Sequence, residues 1–386
     1  MLLAAWLRWR IHGGVQFTPW DESWYLNWAN AVANDGIAGF RASVQLWLDT
    51  GWYVPRPTRW GHVLLSAGAC RAAGRCGFEQ LAALSMLAGV LAVGATYLLA
   101  STLIARPAAV LAAAFTAVSA LDLGLGRRAM QDEVVLATSL LALYSVARLR
   151  GRPAARWELG AAIGALTLAL AVKESFVVML PVVLILRWQA RWPLRVDPAD
   201  LALVAVPPLL YLGGLLALGG GALFPDALQQ LVAQTLGGTQ AGSPVDTVQG
   251  GPAWRVYVDL LALNPLVTLS AIAGIGAVLI ARRDEDDRGS AVLVAVIAVS
   301  TVALALGTKN ARIWVTLNAL HAILAAWWMW RLIAQRTPQW TRSAMVAVAA
   351  VNAMLGLWIY GRIFGAQPGE ADAVTLTLLR GLGMIP

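Results

Sequence analysis

Charge is scarce in this chain. Only 13% of its 386 residues are Asp, Glu, Lys or Arg, about half the share usual in soluble domains. Lysine is scarcer still, with Lys173 and Lys309 the only two among 29 basic residues. The three histidines, His12, His62 and His321, show no metal-ligand spacing, and His62, close to Trp60, reads as a satisfied interfacial histidine. Cysteine is limited to Cys70 and Cys76. A disulfide between them is one reading; two free, part-buried thiols is the preferred one. Nucleotide fingerprints are missing too: Gly219-Gly220-Gly221 ends an apolar run and lacks the strand-then-helix context of a phosphate loop. The net charge of +8 is spread over many loops with no basic stripe among stacking aromatics, which argues against nucleic acid and for membrane phosphate as the partner.

Apolar length is what the chain has in abundance. Hydrophobic residues make up 59% of it and mean hydropathy is +0.66. Runs long enough to cross a hydrocarbon layer of roughly 30 Å recur throughout. They are predicted near 79–105, 108–126, 133–150, 157–173, 174–189, 200–223, 257–281, 289–308, 313–333 and 341–360. These runs lack the alternation of a membrane barrel, so the expected fold is all-α, a polytopic helical membrane protein of about 10–11 transmembrane helices. Met1–Leu7 is apolar but Arg8 and Arg10 follow at once, too short to span and with its charge on the wrong side for a signal peptide. Gly160 and Gly164 form a small-xxx-small pair, read as a helix-packing surface.

Basic turns near 148–156, 187–195, 282–288 and 331–342 fall on one side if the spans alternate, and the positive-inside rule makes that side cytoplasmic. Loops 12–78 and 224–256 then lie outside, the first with juxtamembrane helices, the second glycine-rich and either a lid or a tether. Residues 1–335 form the membrane-embedded core; 336–386 hold a last span and a short tail.

Polar residues that break this pattern gather on the outer face. Asp21-Glu22 stands among Trp20, Trp24, Tyr25 and Trp28, an aromatic setting typical of the membrane boundary, where carboxylates are costly. Arg56 and Arg59 follow late in the same loop. Arg127-Arg128 precede Asp132-Glu133; Lys173-Glu174 lies between two spans; Lys309 and Arg312 open another. Each set has a plain structural reading, as snorkelling cations or local ion pairs. Together, cations placed against topological preference point to an anionic ligand, and phosphate suits guanidinium forks and a compact ammonium.

In order, these motifs resemble those of the C-type membrane glycosyltransferases, in particular the protein O-mannosyltransferase and aminoarabinose transferase branch. Asp21-Glu22-Ser23-Trp24-Tyr25 is similar to that family's opening acidic motif, and Tyr53 to Trp60 to the later part of the same loop. Arg127 to Asp132 resembles its second outer motif, Lys173-Glu174 its lysine-containing hairpin, and Lys309 to Arg312 its late basic entry to a span. The resemblance implies an enzyme of the inner (plasma) membrane with an extracytoplasmic active face. It would pass a sugar, with inversion, from a polyprenyl-phosphate carrier to a lipid, glycan or protein acceptor. Asp21 is then the general base, with Glu22 and Asp132 beside it. Arg56, Arg59, Arg127, Arg128, Lys173, Lys309 and Arg312 are the candidates for the carrier phosphate. No cofactor is required by the motifs, although Asp21 and Asp132 leave room for a divalent metal; Pro55 stands where the family's metal-binding acid would be. A non-catalytic scaffold with the same fold and a lipid or solute transporter are the rival classes. A transporter would place its charges near the bilayer midplane, whereas these gather at span ends.

Overall fold

A computed structural model describes residues 1–10, 21–50, 57–150, 155–188, 196–221, 254–280, 288–305, 314–334 and 336–363. Among them there is no strand. Sixteen α-helices follow in chain order: α1 (Leu2–Arg10), α2 (Asp21–Asp35), α3 (Ile37–Thr50), α4 (Trp60–Ala73), α5 (Phe78–Leu103), α6 (Arg106–Ala117), α7 (Ala120–Leu125), α8 (Asp132–Ala147), α9 (Arg156–Val172), α10 (Leu180–Trp188), α11 (Pro198–Gly219), α12 (Trp254–Leu263), α13 (Pro265–Ile280), α14 (Arg288–Ala305), α15 (Val315–Ile333) and α16 (Pro338–Ile363). Short 3-10 turns cover Pro57–Arg59 and Glu174–Met179. The protein is an all-α polytopic membrane protein. Among the described residues α5, α11 and α16 are each long and apolar enough to cross a bilayer unaided.

Three expected spans are interrupted, each for a local reason. The run 108–126 divides at Val118 into α6 and α7, where Ser119 Oγ accepts from the Asp122 N–H at 3.4 Å and caps the new helix. The run 257–281 divides at Asn264 because Pro265 has no N–H and disfavours helix in the residue before it. The run 174–189 starts as a 3-10 turn and becomes α10 only at Leu180, with Pro181 in the first helical turn. Two of the breaks meet. Asn264 Nδ2 donates to Ser119 Oγ at 3.2 Å and to Asn318 Oδ1 at 3.0 Å, and Asn318 Nδ2 donates to Ser119 Oγ at 3.3 Å. Broken helices at membrane depth need such partners, since lipid offers none.

The bundle core packs α5 against α8 and α6, and α15 against α13 and α6. The expected juxtamembrane helices of the first loop are α2, α3 and α4. They enclose a smaller apolar cluster of Trp28, Val32, Phe40, Val44, Val63, Ala67 and Leu215. Arginines tie their ends down. Arg71 donates to the Val32 and Ala33 carbonyls at 3.1 and 2.8 Å, and Arg41 to those of Leu218 and Ala217 at 3.3 and 3.5 Å, giving acceptors that a helix C-terminus leaves open their donors.

Two expectations are corrected. Cys70 and Cys76 form a disulfide rather than free thiols: Gly74, at φ 67°, turns the chain back after α4 and brings the two α-carbons to 4.5 Å, within bridging reach. Gly160 and Gly164 pack against nothing among the described residues. Close approach falls instead to Gly61, where an added Cβ would lie 2.7 Å from that of Ala171, and to Gly214 against the Trp60 ring.

Candidate active site

The N-terminus of α8 is where distant polar residues meet. The bend before it carries Arg128 and Gln131, and Asp132 opens the helix, an acid where the helix dipole favours one. Glu22 lies in the first turn of α2 and Tyr25 one turn later on the same face. Arg59 ends the first 3-10 turn. Lys173 is the extended residue (φ −153°) that separates α9 from the second 3-10 turn, and Glu174 opens that turn.

Their contacts bind these elements together. Arg128 Nε donates to Glu22 Oε1 at 2.9 Å, with both side chains buried. Lys173 Nζ stands 3.7 Å from Asp132 Oδ1. Arg59 forks onto Glu174, Nε to Oε2 at 3.3 Å and Nη2 to Oε1 at 3.4 Å, and its Nη1 donates to the Tyr25 hydroxyl at 2.6 Å. That hydroxyl in turn donates to Gln131 Oε1. Three cations thus face three carboxylates, a balance that buried charges require. Arg59 is the most accessible of the six, at 23%.

His62 lies inside this cluster. Its ring meets that of Tyr25 edge-on at 4.8 Å, and Nε2 is 3.5 Å from Ser66 Oγ. Burial pushes the imidazole down to about 3; Asp132 offsets this in part, while Arg59 and Lys173 add to it. The ring is therefore neutral at physiological pH. Burial also works against the Arg59 charge, but Glu174 and Tyr25 outweigh it, and the guanidinium is held above its ordinary value.

Of the residues singled out from the sequence, Glu22, Arg59, Arg128, Asp132 and Lys173 converge here. Arg127 does not: it turns to α16, where it donates to the Tyr360 hydroxyl with its guanidinium 5.7 Å from the ring centre. Asp21 opens α2 beside Glu22, but its side chain lies outside the described residues, as do Arg56, Lys309, Arg312 and most of loop 224–256. Among the described residues no three of His, Cys, Asp and Glu are grouped as a metal ion would need. Tyr25, Gln131 and His62 are members that the sequence reading did not assign. A signal existed for Tyr25, three residues after Glu22 on one helix face; none existed for the pairing of Gln131 with it across 106 positions.

The fold is that of the C-type membrane glycosyltransferases, and the resemblance seen in the motifs is borne out at that level. Residues 68–212 match the family model for dolichyl-phosphate-mannose-protein mannosyltransferase. Among solved structures, the chain is similar to ArnT from Cupriavidus metallidurans bound to undecaprenyl phosphate (TM-score 0.60, 14% identity, 98% of this chain and 72% of that one). It is similar to the apo form of the same protein (TM-score 0.64, 14% identity, 99% and 67%). It is also similar to the oligosaccharyltransferase AglB from Archaeoglobus fulgidus in complex with an inhibitory peptide and a dolichol-phosphate (TM-score 0.58, 13% identity, 95% and 55%). The chain thus spans little more than half the length of the archaeal protein. A comparison with curated protein sequences returns no match.

Proposed function

We propose that this protein is a membrane glycosyltransferase that takes a sugar from a polyprenyl-phosphate carrier and passes it, with inversion, to an acceptor on the extracytoplasmic face of the inner membrane. The observation that carries the reading is the cluster at the start of α8. Arg59, Arg128 and Lys173 come from three separate segments of the chain and meet Glu22, Asp132 and Glu174, the first of these next to Asp21 in sequence. A structural ion pair does not need so many remote contributors. Two relatives by fold were solved with undecaprenyl phosphate and dolichol-phosphate, ligands of the class proposed here. The Cys70–Cys76 bridge beside the first loop suits an oxidising, external compartment.

In this mechanism the acceptor hydroxyl attacks the anomeric carbon as the bond from that carbon to the carrier phosphate oxygen breaks. Asp21 takes the hydroxyl proton, which requires it within hydrogen-bond reach of the acceptor. The phosphate leaves with the bonding pair, and its growing charge needs fixed donors. The cations of the cluster are already balanced by carboxylates, so a phosphate with two negative charges calls for more. Arg56, Lys309 and Arg312 are assigned that part, together with Arg59, the most accessible member of the cluster. Glu22 holds Arg128, and Asp132 holds Lys173 or a sugar hydroxyl.

The test is Asp21→Asn in membranes or detergent, with a polyprenyl-phosphate sugar and a labelled acceptor. Turnover is expected to fall by about 10²–10⁴-fold, with carrier binding within a few-fold of wild type. Full turnover in the variant removes Asp21 as the base. A wild-type protein that moves labelled lipid across vesicles without forming a glycosidic bond is a transporter, and one that does neither is a scaffold.

A further inference from the structure

A second group of buried charges lies behind α8, on the side away from the cluster. Arg8 of α1 is 2% exposed, and Asp122 of α7 and Glu133 of α8 are fully buried. Arg8 is the cation that faces both acids. Its Nη1 donates to the Ala117 carbonyl at 3.5 Å. Its Nε and Nη2 and both carboxylate oxygens of Glu133 have no hydrogen-bond partner among the described residues, while Asp122 lies close to Ser119 and Asn318. The guanidinium and the Glu133 carboxylate close in over Gly89 of α5: a Cβ there would stand 2.5 Å from Arg8 Nε and 2.7 Å from Glu133 Oε2. A side chain there would require one of these two side-chain ends to move.

Glu133 is the next residue after Asp132. On a helix, neighbours in sequence point about a quarter-turn or more apart, so one carboxylate reaches forward to Lys173 while the other reaches back to Arg8. The first turn of α8 is therefore paired with a cation on one side, Lys173, and has a second buried cation, Arg8, close by on the other. Bare backbone hydrogen bonds do not fix a helix start, whose first N–H groups have no intrahelical partner. A cation docked behind it does, and buried charges tolerate little displacement.

We propose that Arg8, Glu133 and Gly89 are positioning residues: α1 inserts Arg8 behind α8 to hold Asp132 and Arg128 in the register that the transfer reaction needs. The assignment rests on the glycosyltransferase reading for its kinetic consequence but not for its geometric one. Without Arg8, Asp122 and Glu133 face each other without a cation, the start of α8 shifts, and Asp132 leaves Lys173.

Two measurements test this. In Arg8→Gln, kcat is expected to fall by about tenfold or more while KM for the carrier stays within about twofold, the pattern of a group felt only in the transition state. Adding Glu133→Gln removes one of the two opposed acids and is expected to restore at least about threefold of the lost turnover. A residue needed merely to fold α1 gives no such rescue. The second readout needs no activity. Because the chain has only two lysines, acylation by a small membrane-permeant amine reagent reports on Lys173, with Lys309 as the internal reference. An ammonium held by a carboxylate resists such reagents, so Lys173 labelling is expected to rise about tenfold in Arg8→Gln. If that variant does not fold, Gly89→Ala, which keeps every charge and only crowds the pair, replaces it with the same two expectations. Unchanged Lys173 labelling in the folded variant overturns the proposal. So does a double variant no better than the single one. A wild-type protein without transferase activity but with the labelling change keeps this positioning role and overturns the functional reading instead.

Discussion

Two ion clusters mark opposite ends of the bundle, and they differ in what their charges hold. At the end expected from the basic turns to face inward, Arg187 of α10, 1% exposed, pairs with Asp197 and Asp200, each at 3.3 Å, and donates to the Leu149 carbonyl. Asp197 and Asp200 cap α11 reciprocally, each accepting the other's N–H at 2.9 Å. Arg148 and Glu158 add a looser pair at 3.8 Å. These groups lie within about fifty residues of one another and their oxygens serve helix ends. The outer cluster joins residues 22, 25, 59, 62, 128, 131, 132, 173 and 174 from α2, α4, two 3-10 turns, the bend and start of α8 and the break after α9. It contains a phenol, an ammonium and an imidazole, groups whose protons and partners exchange. Buried ion pairs by themselves therefore do not identify a site in this protein.

The sharpest way to break this contrast is to remove Arg187. Arg187→Ala leaves the buried Asp200 and the partly exposed Asp197 without their cation, and loss of one partner of a buried pair costs about 3–5 kcal/mol. Thermal unfolding in detergent is expected to begin at clearly lower temperature, while protein that remains folded keeps its turnover per molecule within about twofold. A variant of normal stability with poor turnover would make the inner cluster part of the working site and erase the distinction.

Acid is expected to act on the outer end first. His62 titrates at about 3 in the folded protein and near 6.5 when unfolded. The unfolded chain therefore takes up the proton earlier. The stability that the neutral ring contributes is complete above pH 6.5 and is lost as the pH falls from there toward 3, at up to about 1.4 kcal/mol per pH unit. No histidine lies among the inner cluster's named groups. His62→Gln should accordingly flatten the decline in stability between pH 6 and 4, measured by chemical denaturation at a series of pH values. An unchanged slope would mean that the acid sensitivity arises elsewhere.

Much of the framework was legible before any coordinates. Long apolar runs without alternation mean helices, because only intrasegment hydrogen bonding survives in lipid, and α5, α8, α9, α11, α14, α15 and α16 stand close to where those runs predicted them. The breaks were harder. Ser119, Asn264 and Asn318 are unremarkable residues within apolar runs, and each is informative only because the other two lie beside it. The same holds for the site. The basic and acidic residues at span ends were visible as violations of topology, but the partner of each was not: Glu22 and Arg128 are 106 positions apart, and Arg127 and Arg128 look alike in sequence yet face α16 and α2. Arg8 is the plainest case. In sequence it is only the charge that ends a segment too short to span, while in the fold it lies beside a glycine of α5 and an acid of α8.

The smallest expected effect bears on the orientation that the whole contrast assumes. Both cysteines of the chain sit at the same end as the α8 cluster, bridging the end of α4 to the turn before α5. They enclose a loop of only a few residues, so the chain-entropy gain is at the low end, about 2 kcal/mol, and reduction should lower stability modestly: Cys70 packs with Tyr25 and Ala29 of α2, but the larger apolar cluster of α2, α3 and α4 does not include the bridge. The informative measurement is which side of the membrane the thiols face. In sealed, right-side-out vesicles, a membrane-impermeant reductant followed by an impermeant alkylating reagent should label Cys70 and Cys76 without detergent. A bridge that yields only after the membrane is opened would turn the protein over, place the ion cluster at α8 in the cytoplasm, and make the Arg187 end the external one. It would also remove the oxidising compartment that keeps such a bridge closed. The disulfide contributes little to stability, but through its redox setting it decides which of the two clusters can meet an extracytoplasmic acceptor.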